Sequence, residues 1–221
     1  MGSVQNQSAV PAPPGSGPCA APNGNSSVCN QRVGLATATH PHGPWTRRVA
    51  PIVDAGKPGA WDDLFTTNPT PHVLQNGSVL LLYKARSRAN WNKMSTGVAF
   101  AEHWSGPYER RGTGPVDVSG SCEDAGIYYS EAMAVFRIVL HCGCNYQALW
   151  SLDGVDWHRT AKLQPWCHIT YSDGTTETMS RRERPKWQVD KAGKLVGLLT
   201  GVFPTASHGK DSFTMAQSIL P

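Results

Sequence analysis

Three stretches of the chain share one rhythm: a polar opening, a run of strand-forming residues, a short turn and a second apolar run. Residues 68–74 turn at Gln75-Asn76-Gly77 into Ser78-Val79-Leu80-Leu81-Leu82-Tyr83-Lys84-Ala85-Arg86, and Asn-Gly between such runs is a strong hairpin signal. Residues 126–130 turn near Glu131-Ala132 into 135–141, and residues 185–190 turn at Ala192-Gly193 into 195–200. A second kind of hairpin alternates with these. Gly97-Val98-Ala99-Phe100-Ala101 turns through His103-Trp104-Ser105-Gly106-Pro107 into Tyr108-Glu109-Arg110-Arg111. The same pattern occurs at 33–48, across His40-Pro41-His42-Gly43-Pro44, and more loosely at 148–159, across Gly154. Two hairpins make a unit of four strands over about 50–60 residues, the period of propeller blades.

Two full units (66–112 and 122–160), a third at 181–219 and half a unit at 31–48 give about three and a half blades. Closed propellers have about four to eight. Residues 49–65 form a loop holding Trp61-Asp62-Asp63. Composition agrees with strands and turns: Gly 22 and Pro 17 are abundant, and helical runs of Ala, Leu, Glu and Lys are nearly absent. Residues 1–30 have no periodicity and form a disordered Pro/Gly/Ala-rich tail, leaving 31–221 as the folded domain.

Charge and targeting signals narrow the partners. The net charge is +4, from 20 basic and 16 acidic residues, with one dense cluster at Arg181, Arg182, Arg184 and Lys186. Nucleic-acid binders concentrate their excess on one face, so no nucleic-acid partner is expected. No window approaches the roughly 18–20 apolar residues of a membrane span, so no membrane partner is expected either. The first residues show neither a secretory h-region nor a myristoylation signal. Localisation and oligomeric state stay open. Cys19 and Cys29 bracket a loop and could form a local disulfide in an exported chain. Cys142-Gly143-Cys144 has the wrong spacing for a zinc pair, so buried strand cysteines are expected, with no metal or cofactor; whether the six cysteines pair or stay reduced is left open. Asn25-Ser26-Ser27 and Asn76-Gly77-Ser78 match the glycosylation triplet, a pattern that arises readily by chance.

The candidate chemistry lies at the polar strand entrances, which a propeller would gather around one axis. Glu123 could be a general acid if Asp124 or burial raises its pKa, while Asp124 could face the neighbouring sheet. Capping of backbone amides is the structural alternative for both. Glu183, between Arg182 and Arg184, would have its charge stabilised, which suits a salt-bridged or substrate-orienting role better than proton donation. Arg181 and Arg184 could grip a sugar carboxylate or sulfate, or bridge blades. Asn68, His72 and His141 could hydrogen-bond sugar hydroxyls. Lys84 and Arg86 share one strand face. Trp61, Trp91, Trp166 and Trp187 are candidates for sugar stacking, whereas Trp45, Trp104 and Trp157 belong to the repeated outer hairpin and should pack between blades.

The hairpins ending Ser-Gly-Pro-Tyr, with Glu123-Asp124 and Glu183-Arg184-Pro185 at inner-strand entrances, resemble the five-bladed propeller glycoside hydrolases. The likeness is to the arabinanase/β-xylosidase group (family 43) and, more distantly, to the invertase group, over residues 31–219. It implies a partial all-β propeller lacking a blade and a half at the N-terminus, with the tail in their place. It also implies a glycosidase acting on or binding a plant- or algal-type polysaccharide or oligosaccharide. Those enzymes carry an Asp on the innermost strand of the first blade, a second Asp in the next and an acid Glu in the third. By this resemblance Glu123 matches the acid, Asn68 stands where the second Asp is expected, with Asp62 and Asp63 just upstream, and the first Asp has no counterpart. A non-catalytic carbohydrate-binding propeller and an inactive fragment are the alternatives.

Overall fold

The computed structural model describes residues 31–160, 164–205 and 211–219. The tail read at 1–30 and the Cys19–Cys29 pair lie outside them. Every regular element among the described residues is a strand, arranged as two four-stranded and one five-stranded antiparallel sheets and one short pair. The short pair is β1 (Ala36–Thr37) with β2 (Thr46–Arg47). The first sheet is β3 (Phe65–Val73), β4 (Val79–Arg86), β5 (Ser95–Ala101) and β6 (Glu109–Arg111), in that order. The second is β7 (Glu123–Ser130), β8 (Val135–Cys142), β9 (Asn145–Ser151) and β10 (His158–Arg159), with β11 (Gln164–Pro165) also pairing with β9. The third is β12 (His168–Thr170), β13 (Thr176–Val189), β14 (Leu195–Pro204) and β15 (Phe213–Ser218). This is the all-β, partial-propeller architecture expected.

The third unit begins earlier than the pattern predicts. β13 starts at Thr176 rather than near 181, and its first residues pair with β12. Those residues are mostly polar and exposed, so no apolar alternation marks them as strand.

Packing explains the continuous apolar run of β4. Leu80 and Leu82 face the second sheet, where they join Ile127, Phe136, Ile138 and Leu149 in one core. Leu81, Tyr83 and Ala85 face the other way, onto Val33 and Val53 of the N-terminal segment. A strand covered on both faces has no solvent side on which to place polar residues. A third core, Trp166, Cys167, Ile169, Met179 and Val202, closes against Tyr146 of the second sheet.

One local irregularity recurs in all three sheets and positions the site. The pairing of β3 with β4 slips between Thr67 and Thr70, that of β7 with β8 between Glu123 and Gly126, and that of β13 with β14 between Glu183 and Lys186. Each slip is a bulge containing a residue in the left-handed region: Asn68 (φ 47°), Asp124 (φ 55°) and Arg184 (φ 55°). Bulges re-aim side chains that a regular ladder would point across the sheet, and non-glycine residues with positive φ cluster at functional sites. The polar residues read as strand entrances at 68 and 184 are therefore bulges inside longer strands. β7 packs against both β3 and β13, which sets the three bulges side by side. Gly126 permits this approach, because a Cβ there would lie 2.5 Å from the Pro185 carbonyl oxygen.

Candidate functional site

Asn68, Asp124 and Arg184 line a cavity of about 200 Å³ together with Pro69, Thr70 and Lys186. Asn68 Nδ2 donates to Asp124 Oδ1. Lys84, reaching across from β4, donates through Nζ to Glu123 Oε2 at 2.6 Å and lies 3.7 Å from Asp124 Oδ1. His141, on β8, is buried between the two carboxylates, with Nε2 3.5 Å from Glu123 Oε1 and Nδ1 3.9 Å from Asp124 Oδ2. Its Nδ1 is enclosed without a hydrogen-bond partner. On the β13 side, Arg184 Nε lies 3.8 Å from both Asp124 Oδ2 and Glu183 Oε2. Arg181 pairs with Glu183 and stacks 4.9 Å over the Phe203 ring.

The electrostatics differ from those needed by a proton donor. The hydrogen bond from His141 and the Lys84 ammonium hold the Glu123 carboxyl down at about 2, outweighing the upward push of burial. A carboxyl in that state is an ionised acceptor, whereas general-acid use calls for a raised pKa. Burial lowers the Lys186 pKa, opposed by nearby Asp124 and reinforced by Arg184. Although Lys186 is exposed as a residue, its ammonium turns inward to Thr70 Oγ1 at 2.8 Å and the Ala125 carbonyl at 3.0 Å.

Two disulfides frame this geometry and answer, for four of the six cysteines, the pairing that the sequence leaves open. Cys122–Cys142 ties the residues next to Glu123 and His141, and Cys144–Cys167 ties the β8–β9 turn to the segment entering the third sheet. Sequence spacing could not reveal the partners, because four cysteines admit three pairings and strand register decides among them.

The structure brings together Asn68, Glu123, Asp124, Glu183, Lys84, His141, Arg181 and Arg184. Arg86 stands nearby, its guanidinium 5.2 Å over Trp91 and its Nε 2.9 Å from Met94 Sδ. Burial lowers its pKa against the influence of Glu123. Two candidates lie elsewhere. His72 packs against Tyr129 and Phe136 at the other end of β7, and Trp187 sits between the second and third sheets in a cleft of about 460 Å³. Asp62 is buried against Arg110 and the Tyr83 hydroxyl, while Asp63 accepts from the Gly59 and Arg88 amides, so both brace the first sheet. Arg182 is buried too, bonded to Thr200, Gln217 and the Trp166 carbonyl. Of the tryptophans expected between blades, Trp157 packs on Phe136, but Trp45 and Trp104 are 60% and 45% exposed. They sit at hairpin turns left open to solvent by the described residues. Lys186 was missed as a site residue. The signal for it is the repeated triplet Thr67-Asn68-Pro69, Glu123-Asp124-Ala125 and Glu183-Arg184-Pro185, whose alignment places Lys186 opposite Thr70 and Gly126.

Similar solved structures decide the fold class. The chain superposes on Zg3597, a family 117 glycoside hydrolase from Zobellia galactanivorans, with TM-score 0.55 and 20% identity over 84% of this chain and 50% of that one. Its fold is that of the propeller glycosidases. An endo-1,4-β-xylanase from Bacteroides thetaiotaomicron gives TM-score 0.57 at 12% identity, over 85% of this chain and 63% of that one. A thermostable family-43 glycoside hydrolase gives 0.53 at 15% identity, over 85% and 62%. This chain thus spans half to somewhat under two thirds of the length of these three glycosidases. No protein-family model and no curated protein sequence matches it.

Proposed function

We propose that the chain recognises a carbohydrate in the cavity where the three bulges meet, using Asp124 and Asn68 as hydrogen-bonding partners for sugar hydroxyls. The observation that carries this reading is the convergence of Asn68, Asp124 and Arg184, from three different sheets, on one cavity. A carboxyl group and an amide suit hydroxyl recognition, since each hydroxyl can donate to one group and accept from another. The glycosidase-type propeller fold supports the same ligand class.

Hydrolysis is the second reading, favoured by three carboxylates in one hub. Cleavage needs one carboxyl protonated to release the leaving oxygen and a second ionised to activate water or attack carbon. Glu123, held ionised by His141 and Lys84, is poorly prepared for the first task. Calorimetric titration with an oligosaccharide panel, beside an assay for released reducing ends, separates the two. Saturable binding with no release, retained in Glu123→Gln, is the expected result. Release by the wild type that disappears in Glu123→Gln while binding persists would establish the hydrolase instead. Absence of binding to every sugar would remove both.

A further inference from the structure

Five cations surround the hub, Lys84, Arg86, Arg181, Arg184 and Lys186, against three carboxylates, Glu123, Asp124 and Glu183. Pairing among them is uneven. Glu123 holds Lys84, Glu183 holds Arg181, and buried Asp124 takes the Asn68 amide with Lys84 3.7 Å away. Lys186 has no carboxylate within salt-bridge reach among the described residues. Its ammonium donates to two neutral oxygens, at 2.8 and 3.0 Å, and an ammonium has three N–H donors. Arg184 lies at 3.8 Å from carboxylates through Nε, beyond hydrogen-bond distance. Its guanidinium donates no hydrogen bond among the described residues, and its side chain is 68% exposed at the cavity mouth.

We propose that the cavity selects an acidic sugar, whose carboxylate or sulfate is clamped between the Arg184 guanidinium and the Lys186 ammonium. The inference rests on the carbohydrate reading above and names the class of sugar. A planar guanidinium fork matches the paired oxygens of either anion, and the ammonium adds a point charge beside it. The ligand anion would supply the charge that the protein withholds here. A neutral sugar would leave the Lys186 ammonium and the Arg184 guanidinium without a hydrogen-bonded anion in a partly enclosed space. The size of the cavity limits the fit to the acidic ring itself. At about 200 Å³ it has room for about six or seven waters and falls below the roughly 300–1,000 Å³ of larger ligand sites.

The test is calorimetric titration with three oligosaccharides of one backbone: one bearing a uronate, one bearing a sulfate ester, and the carboxyl-reduced neutral form. Wild type, Arg184→Ala and Lys186→Met are compared at low and high salt, with inorganic sulfate as a simple anion. An acidic form should bind at least about tenfold tighter than the neutral one, and each variant should lose about tenfold toward the acidic form only. Whichever acid binds identifies the source of the anion. Equal binding of neutral and acidic forms, or acidic binding unmoved in Arg184→Ala, overturns the inference while leaving the carbohydrate reading intact. If no oligosaccharide binds, the carbohydrate reading fails, and this inference with it. Arg184 is exposed, so that variant remains informative even if Lys186→Met does not fold.

Discussion

The two flanks of the hub are built from similar residues and behave differently. On the flank shared by the first and second sheets, Lys84, Glu123, Asp124 and His141 are enclosed, and both carboxylates have cationic or amide partners. On the third-sheet flank, Arg184 reaches outward and Lys186 is bonded only to neutral oxygens. Enclosed charges must be compensated by the protein, because an unpaired buried ion is costly. An exposed cation can be left for a ligand to satisfy. Lys84, Glu123 and His141 of the first flank therefore work as scaffold behind Asp124, and the second flank offers the charged recognition surface.

The contrast is broken most severely on the scaffold side. Lys84→Met should destabilise the fold by about 3–5 kcal/mol in urea unfolding, because Glu123 and Asp124 would face each other without their shared cation. A cost under about 1 kcal/mol would show that the pair is solvated. Next comes pH. Glu123 has its folded pKa depressed to about 2 from 4.5, so its contribution is fully present above about 4.5 and is lost as pH falls toward 2. At most it amounts to on the order of 3 kcal/mol, with Lys84, His141, Asp124 and Arg86 as the facing groups. Unfolding midpoints measured between those pH values should drop in the wild type and much less in Glu123→Gln. Gly126→Ala should cost about 1–3 kcal/mol by forcing β13 away from β7, with the loss visible as altered chemical shifts at Pro185 neighbours. Smallest is Arg184→Ala, whose exposure predicts a stability change within about 0.5 kcal/mol.

The two flanks also differ in how far the sequence discloses them. Alternation and the Asn76-Gly77 turn suffice to place β3 and β4, and the apolar density of Val79–Tyr83 reflects burial on both faces. Glu123, Asp124 and Glu183 stand out because carboxylates beside strand runs are conspicuous. The start of β13 is hidden, since Thr176–Arg182 is largely polar and its partner β12 is only three residues long. Disulfide pairing depends on which strand ends meet, so Cys142 and Cys144 could not be matched to Cys122 and Cys167 from spacing. His72 lies on the same strand as Asn68 but past the bulge, where the ladder turns its ring onto Tyr129 and Phe136. Proximity along the chain does not predict that change of direction. Lys186 was obscured by its place in a charged run whose members have three separate fates: Arg182 inside, Arg181 on Glu183, and Lys186 across the hub.

A crystal structure with the preferred acidic oligosaccharide would test the recognition surface most directly. The sugar carboxylate or sulfate should lie within hydrogen-bond distance of the Arg184 terminal nitrogens and Lys186 Nζ, with hydroxyls facing Asp124 and Asn68. A ligand seated instead in the Trp187 cleft between the second and third sheets, with the bulge cavity holding only solvent, would contradict it.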